Sequence, residues 1–401
     1  MRFPAPCEVM MLKVAVFTYA DTLTGGNLRL IRALTYYPRD FFALLIPSDR
    51  LERLAAVMRS VGYDFPDYLR EAVPLRPMGA PRNPLDFFRY GKYVGEVARR
   101  NGAELLFLYH EHVYFPFGFR ASGMRWTMLL QQTPVIGSLV VEGGRGFDLF
   151  RRNYREIYGY GAARSLKGYL RLKAFDWGVG DAELIAASRS VPYELEWLGI
   201  RKRLRMLEIG SGVDGCARRS GVKDHDVAYF ARVVREKGIF DFLNALSLMR
   251  GKARNAYIIG FADDAMKNVV EAELRRRRLD FVETVFNAKK EEAHEALSRS
   301  KVLMYPSKMD AFSLSLMESL SCGTPAVAYA IPGIRFNYNT PAVRFVAPLD
   351  YRSLAEETVR ILEEGSWEEM GREGIRYAQR YTWEEMAKQE VDALKMIMNS
   401  S

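Results

Sequence analysis

The stretch Tyr305-Pro306-Ser307-Lys308-Met309-Asp310-Ala311-Phe312-Ser313-Leu314-Ser315-Leu316-Met317-Glu318-Ser319-Leu320-Ser321-Cys322-Gly323-Thr324-Pro325 reads as strand, loop, helix and stop. The apolar run 302–305 has strand length, Pro306 and Ser307 break it, and Phe312, Leu316 and Leu320 recur at helical spacing until Gly323 and Pro325. A loop opening a helix after a buried strand presents unpaired N–H groups and the positive dipole end. Residues 310–314 are therefore expected to seat phosphate oxygens. Asp310 stands beside that seat, and Glu318 follows at a helical distance of roughly 12 Å. Acids so far apart cannot share a proton, but they can touch the sugar and the ribose of one extended ligand with a diphosphate between them. A capped amphipathic helix carries the same letters.

The chain of 401 residues exceeds one ordinary core, and 49% hydrophobic with 27% charged residues places it among globular proteins, so two domains are expected. Cys7, Cys216 and Cys322 lie far apart, which predicts neither a disulfide framework nor a cysteine metal site and makes the cytoplasm the default compartment. No apolar run reaches membrane-spanning length, and residues 1–11 lack the apolar core of a signal peptide. Net charge is +9, with 30 Lys and Arg against 21 Asp and Glu in residues 1–210 and 28 of each beyond. The excess belongs to the first half, so one domain, rather than the whole surface, is expected to meet something anionic. Nucleic acid is not the expected partner.

Outward from the opening stretch, strands and helices alternate. Strands are predicted over residues 12–18, 41–46, 104–109, 126–130, 183–188 and 204–209, with helices over 27–37, 51–61 and 85–100, a pattern that specifies parallel sheets. Gly25 and Gly26 close the first strand-to-helix turn, where a backbone can approach a ligand, although a tight turn alone would also use them. His110-Glu111-His112 follows a strand's C-terminal end. A metal would need a third ligand with its own supporting shell, so acceptor contact and structural hydrogen bonding remain the two readings of His110 and His112. Residues 145–175 mix eight Lys and Arg, among them Arg151, Arg152 and Arg155, with seven Phe and Tyr against Asp148 and Glu156 alone. Such a segment suits an anionic bilayer or a phosphate-bearing acceptor, or else a solvated helix packed by its aromatic face.

A second series of strands is predicted at 227–230, 256–260 and 281–285, with a helix at 240–248. After the first comes Ala231-Arg232-Val233-Val234-Arg235-Glu236-Lys237-Gly238, whose Arg232 and Lys237 suit a diphosphate beside a helix start. Asp224-His225-Asp226 has the form of a metal-binding D-x-D but precedes a strand, which favours a plain turn. The residues from Tyr351 onward read as amphipathic, acidic helices.

Residues 231–238 and 305–333, together with the turn Ile331-Pro332-Gly333-Ile334, resemble the "GR-x4-KG", acid-x7-acid and proline-glycine motifs of the GT-B glycosyltransferases, in particular the retaining family 4. The resemblance covers nearly the whole chain. It implies two facing Rossmann-like doubly wound domains with a cleft between them: residues 1–214 for the acceptor, 215–380 for the donor, and 381–401 a helix crossing back to the first. The hinge falls at Gly210-Ser211-Gly212-Val213-Asp214, where the family writes Asn-Gly-Val-Asp. The implied activity is hexosyl transfer with retention from a UDP- or GDP-sugar to an acceptor hydroxyl, lipid-linked or otherwise anionic, with no metal or cofactor. Arg232 and Lys237 then face the diphosphate, with Gly26 and the backbone of Phe312, Ser313 and Leu314. Asp310 meets sugar hydroxyls and Glu318 the ribose. Gln132 stands where many relatives have a sugar-contacting histidine, and an amide cannot carry a proton as imidazole does. Ala231, Ala311 and Ser313 replace family glycines. These departures keep open a non-catalytic sugar-nucleotide-binding or scaffold subunit, and a sugar-nucleotide epimerase of the same fold. The implied location is cytoplasmic, with peripheral contact to an anionic membrane face.

Overall fold

In a computed structural model, which describes residues 14–22, 24–60 and 64–400, the chain forms two parallel sheets. The first contains β1 (Val14–Phe17), β2 (Phe42–Pro47), β3 (Val73–Leu75), β4 (Leu105–Leu108), β5 (Trp126–Leu130), β6 (Leu184–Ala186) and β7 (Leu204–Met206), in the order β3-β2-β1-β4-β5-β6-β7. The second contains β8 (His225–Phe230), β9 (Ala256–Gly260), β10 (Val282–Phe286), β11 (Ser300–Tyr305), β12 (Ala326–Tyr329) and β13 (Val343–Val346), in the order β10-β9-β8-β11-β12-β13. Strands such as β1, β4 and β12 are buried along their whole length, which is why they read as unbroken apolar runs with no alternation.

Strand order reverses between β1 and β4 in one sheet and between β8 and β11 in the other. At such a switch point the connecting helices leave to opposite faces, and a crevice opens beyond the strands' carboxyl ends. The glycine pair and the His-Glu-His segment sit at the first crevice, and the basic turn and the Asp310 loop at the second. This is the GT-B architecture.

Several boundaries differ from the sequence expectation. The strand over 183–188 narrows to Leu184–Ala186 and that over 204–209 to Leu204–Met206. Residues 12 and 13 of the first strand and Val61 of the predicted 51–61 helix lie outside the described residues, as does Cys7. Asp224-His225-Asp226 is no isolated turn: β8 begins at His225, and the acids are held by Arg299 and by Lys301, the latter at 2.7 Å from Asp226. The cysteine expectation is corrected outright, since Cys216 and Cys322 form a disulfide across 106 residues of sequence. The fold carries the segment after the hinge back beneath the end of the Leu314–Ser321 helix, a closure that spacing along the chain does not reveal.

The Trp383–Asn399 helix packs into the first domain. Trp383, Met386, Leu394 and Ile397 join Val14, Leu30, Leu34 and Leu129 in one buried cluster. Within it Glu390 forms a buried ion pair with Arg29 and accepts from the Tyr37 hydroxyl at 2.8 Å. Between the two sheets, Asp214 takes Lys290 of the second domain at 2.6 Å, Arg32 of the first at 2.9 Å and the Trp383 indole N–H at 2.8 Å.

Candidate functional site

The site is built from four loops at the two crevices. In the second domain, Gly238 ends the Arg235–Lys237 turn with φ 76°, and a Cβ there would stand 1.9 Å from the Pro306 carbonyl oxygen, so only glycine lets the turn lie against the loop after β11. Lys308 N–H donates to Glu236 O at 2.9 Å across the same junction. Held this way, Lys237 Nζ donates to Met309 O and Asp310 Oδ1, each at 2.7 Å. The other Asp310 oxygen accepts from the Tyr305 hydroxyl at 2.8 Å. Burial, with Asp310 beside it, pushes the Tyr305 phenol well above its ordinary range, so it stays a donor. Arg232 is exposed, with no ion-pair partner among the described residues.

The Leu314–Ser321 helix begins four residues after Asp310, which therefore lies in a loop. Ser313 caps the helix: its Oγ accepts from Leu316 N–H at 3.1 Å and donates to Tyr305 Oη at 2.7 Å. Its side chain is spent on the cap, leaving backbone to face a ligand. Phe312 packs on Tyr338 and Tyr381. Glu318 keeps one-fifth of its side chain exposed and stands 3.7 Å from His294 Nε2.

Across the cleft, Gly25 approaches this helix start: a Cβ on it would stand 3.5 Å from Leu314 Cδ1. A Cβ on Gly26 would instead stand 2.6 Å from Gln131 Oε1. Gln131 Nε2 donates to Tyr109 O and to His110 Nδ1, both at 3.1 Å, which places the neutral ring's proton on Nε2. That nitrogen is buried, with no partner among the described residues. Burial, with Arg29 adding to it, drops the His110 pKa to about 4. His112 takes the structural alternative. Its Nδ1 accepts from Tyr114 and Phe115 N–H groups at 3.1 Å, its ring packs on Phe87 and Phe115, and burial lowers it to about 3.

Between these histidines lies a residue that sequence reasoning passed over. Glu111 accepts from Gln131 N–H at 3.2 Å and from the Gln132 side chain, and burial lifts its pKa to about 7. Gln132 continues toward Gly137, where a Cβ would stand 2.8 Å from Met309 Cγ, so Glu111 lies one side-chain layer from the donor-side loop. Only its place at a strand's carboxyl end could have flagged it. The two domains also touch directly, with Ser188 Oγ donating to Ala311 O at 2.6 Å and Asn337 Nδ2 donating to Ser188 Oγ at 2.8 Å.

Arg151, Arg152 and Arg155 lie on the Gly146–Tyr158 helix, whose last residue reaches the donor-side loop, the Tyr158 hydroxyl donating to Met309 Sδ at 3.2 Å. Arg151 and Arg152 pair with Asp148 at 3.1 Å, and Arg155 with Glu156 at 3.3 Å. Its buried stripe of Leu149, Phe150, Tyr154 and Ile157 is the packed aromatic face. No helix among the described residues is long and apolar enough to cross a membrane.

Residues 218–380 match the family described as Glycosyl transferases group 1. No curated protein sequence matches the chain. Among solved structures, a sucrose-phosphate synthase from Thermosynechococcus elongatus is 17% identical with a TM-score of 0.72, over 97% of this chain and 100% of that one. Anabaena Alr3699/HepE in complex with UDP-glucose is 13% identical with a TM-score of 0.67, over 96% and 100%. WaaG, a glycosyltransferase involved in lipopolysaccharide biosynthesis, is 13% identical with a TM-score of 0.66, over 95% and 99%. At these identities the likeness establishes the GT-B fold, and the matched segment is the domain that carries Arg232, Lys237, Asp310 and Glu318.

Proposed function

We propose that the chain is a retaining glycosyltransferase of the family 4 type that moves a hexosyl unit from a UDP- or GDP-sugar to an acceptor hydroxyl. The observation that carries this reading is the Lys237 and Asp310 pair at the switch point of the second sheet, facing a glycine pair of which Gly25 approaches the Leu314 helix start. A cation, a helix N-terminus and a glycine backbone converging on one crevice suit a diphosphate. The group 1 match over this domain and the UDP-glucose complex of Alr3699/HepE support a nucleotide sugar.

In this reading the bond from the sugar's anomeric carbon to the diphosphate oxygen breaks while Lys237 and Arg232 stabilise the charge that grows on the departing group. Asp310 accepts from sugar hydroxyls and Glu318 from the ribose. No divalent ion is required where two cations and a helix start already face the diphosphate. On the acceptor side, His110 Nε2 offers a buried donor, and the cationic first domain suits a phosphate-bearing, lipid-linked acceptor at an anionic membrane face. The name of WaaG adds weight to a lipid acceptor.

Incubation with UDP- and GDP-hexoses plus a membrane lipid extract tests the proposal. Acceptor-dependent nucleotide release with a retained anomeric centre in the product supports it. An isomerised free sugar nucleotide would make the protein an epimerase, binding without turnover a scaffold subunit, and an inverted product would overturn retention.

A further inference from the structure

Away from the diphosphate seat, three side chains with reactive or ligating atoms come together: the sulfurs of Cys216 and Cys322 and a ring nitrogen of His294 lie within 4.8 Å of one another. Cys216 follows the hinge directly, and Cys322 caps the C-terminal end of the helix that carries Glu318. We propose that Cys216 and Cys322 form a reversible thiol–disulfide site whose oxidised form holds Glu318 in its nucleotide-binding position. The coupling to nucleotide rests on the assignment of Glu318 to the ribose.

The path from sulfur to carboxylate is short. Ala217, next to Cys216, donates its N–H to His294 Nδ1 at 2.9 Å. His294 is 1% exposed, and its Nε2 has no hydrogen-bond partner among the described residues while standing 3.7 Å from Glu318 Oε1. With Nδ1 accepting, the neutral ring carries its proton on Nε2 and directs it toward the carboxylate. The same assignment leaves the ring no lone pair for a metal, so the cluster reads as a thiol site and not as a cation site. The disulfide thus ties together both ends of a ring that runs through Ala217, His294 and Glu318. Breaking it removes the covalent tie next to Ala217 and leaves the 215–221 segment held by Arg219 to Ser321 O at 2.7 Å and Ser220 N–H to Ser298 Oγ at 2.8 Å, so that Ala217 can withdraw from the imidazole.

The site is reachable. A cavity of about 260 Å³, lined by Gly215, Cys216, Arg219, Ser321 and Tyr381 among others, opens beside the bond. Cys216 is only half-buried, so its sulfur is open to attack by an external thiolate. Reduction by a small dithiol proceeds by exchange. Its thiolate attacks the Cys216 sulfur, Cys322 leaves as a thiolate and takes a proton, and the second reductant sulfur then displaces Cys216. The dithiol becomes a cyclic disulfide as two electrons and two protons pass to the protein.

The test compares full-length protein before and after dithiothreitol, by counting alkylatable cysteines under denaturing conditions and by UDP and GDP calorimetry. The expected count rises from one, Cys7, to three. Affinity for the nucleotide that binds should fall about fivefold on reduction, the scale of one lost hydrogen bond. Cys216→Ser and Cys322→Ser should each match the reduced wild type and ignore dithiothreitol. The half-buried Cys216 position keeps the test open should the buried change fail to fold. Three alkylatable cysteines in unreduced protein, or equal affinity in both forms, would overturn the proposal. If neither form binds UDP or GDP, the donor assignment and its coupling fall, while the cysteine count still decides the bond by itself.

Discussion

Lys237 Nζ and Asp310 Oδ1 stand 2.7 Å apart with only about a tenth of either side chain exposed, so the basic turn and the acidic loop are one hydrogen-bonded unit. Lysine here positions the acid, and in the proposed reading it also faces the leaving diphosphate. Arg232 is free of that structural duty.

The two cations should therefore fail differently. Arg232→Ala is expected to raise the barrier to turnover by about 2–4 kcal/mol with thermal stability unchanged. Lys237→Ala should lose as much turnover and also lower stability, because it strands a buried carboxylate. Initial rates beside thermal melts check this, and wild-type turnover in Lys237→Ala would refute the donor assignment.

Gly333 is a second fixed point of the acidic loop. A Cβ there would stand 1.7 Å from Asp310 O, a backbone atom with no flexible end to give way. Gly333→Ala should displace the loop and abolish nucleotide binding, whereas Gly25→Ala, whose Cβ meets Leu314 Cδ1 at 3.5 Å, should bind nearly as wild type. Equal nucleotide affinity in both variants would contradict the geometry.

Four buried groups in the first domain set its pH response. Glu111 and Glu194 are lifted by burial to about 7, so the folded state holds their protons more tightly and stability falls as pH rises from about 4.5 to 7. His110 and His112 are lowered to about 4 and 3, so stability falls as pH drops from about 6.5. The trends oppose between 4.5 and 6.5, and a flat profile is expected there. Glu111→Gln should be relatively more stable than wild type above pH 7 and lose that advantage below pH 5. A constant difference across pH in thermal melts would remove Glu111 from this account.

The proposed membrane contact has a defined surface. On the Ala162–Val179 helix, Leu166, Leu170 and Trp177 are exposed at helical spacing, with Lys173 on the same face. Arg151, Arg152 and Arg155 are partly offset by Asp148 and Glu156. At about 1 kcal/mol for each uncompensated cation near the bilayer, binding should favour anionic vesicles and weaken with salt. Arg151→Glu, Arg152→Glu and Arg155→Glu together should weaken it further, and equal co-sedimentation with neutral and anionic vesicles would remove the charge from this role.

The sheet cores and the 305–325 stretch were legible because buried parallel strands leave continuous apolar runs and because Pro306, Gly323 and Pro325 punctuate them. Other features depend on tertiary placement. The spacing of roughly 12 Å from Asp310 to Glu318 assumes helical geometry throughout, whereas the helix begins only after its cap, Ser313. Glu111 carries no local mark of the burial that lifts its pKa, and His112 differs from His110 only in which backbone groups reach its ring. Cys216 and Cys322 meet only because the linker returns across the second domain.

The ion pair between Arg29 and Glu390 joins residues 361 apart in the chain, and the helix that supplies Glu390 also supplies Trp383, Met386 and Leu394 to the first domain's core. On the ribosome, domains generally fold as they emerge, N-terminal first. Here the first domain emerges without part of its own interior, since those residues are translated after the whole second sheet. Until that helix emerges, an apolar face containing Leu30, Leu34 and Leu129 waits for its cover, and Arg29 for its counter-charge. The second domain, complete before that helix appears, can fold first, so the order of folding runs against the order of translation.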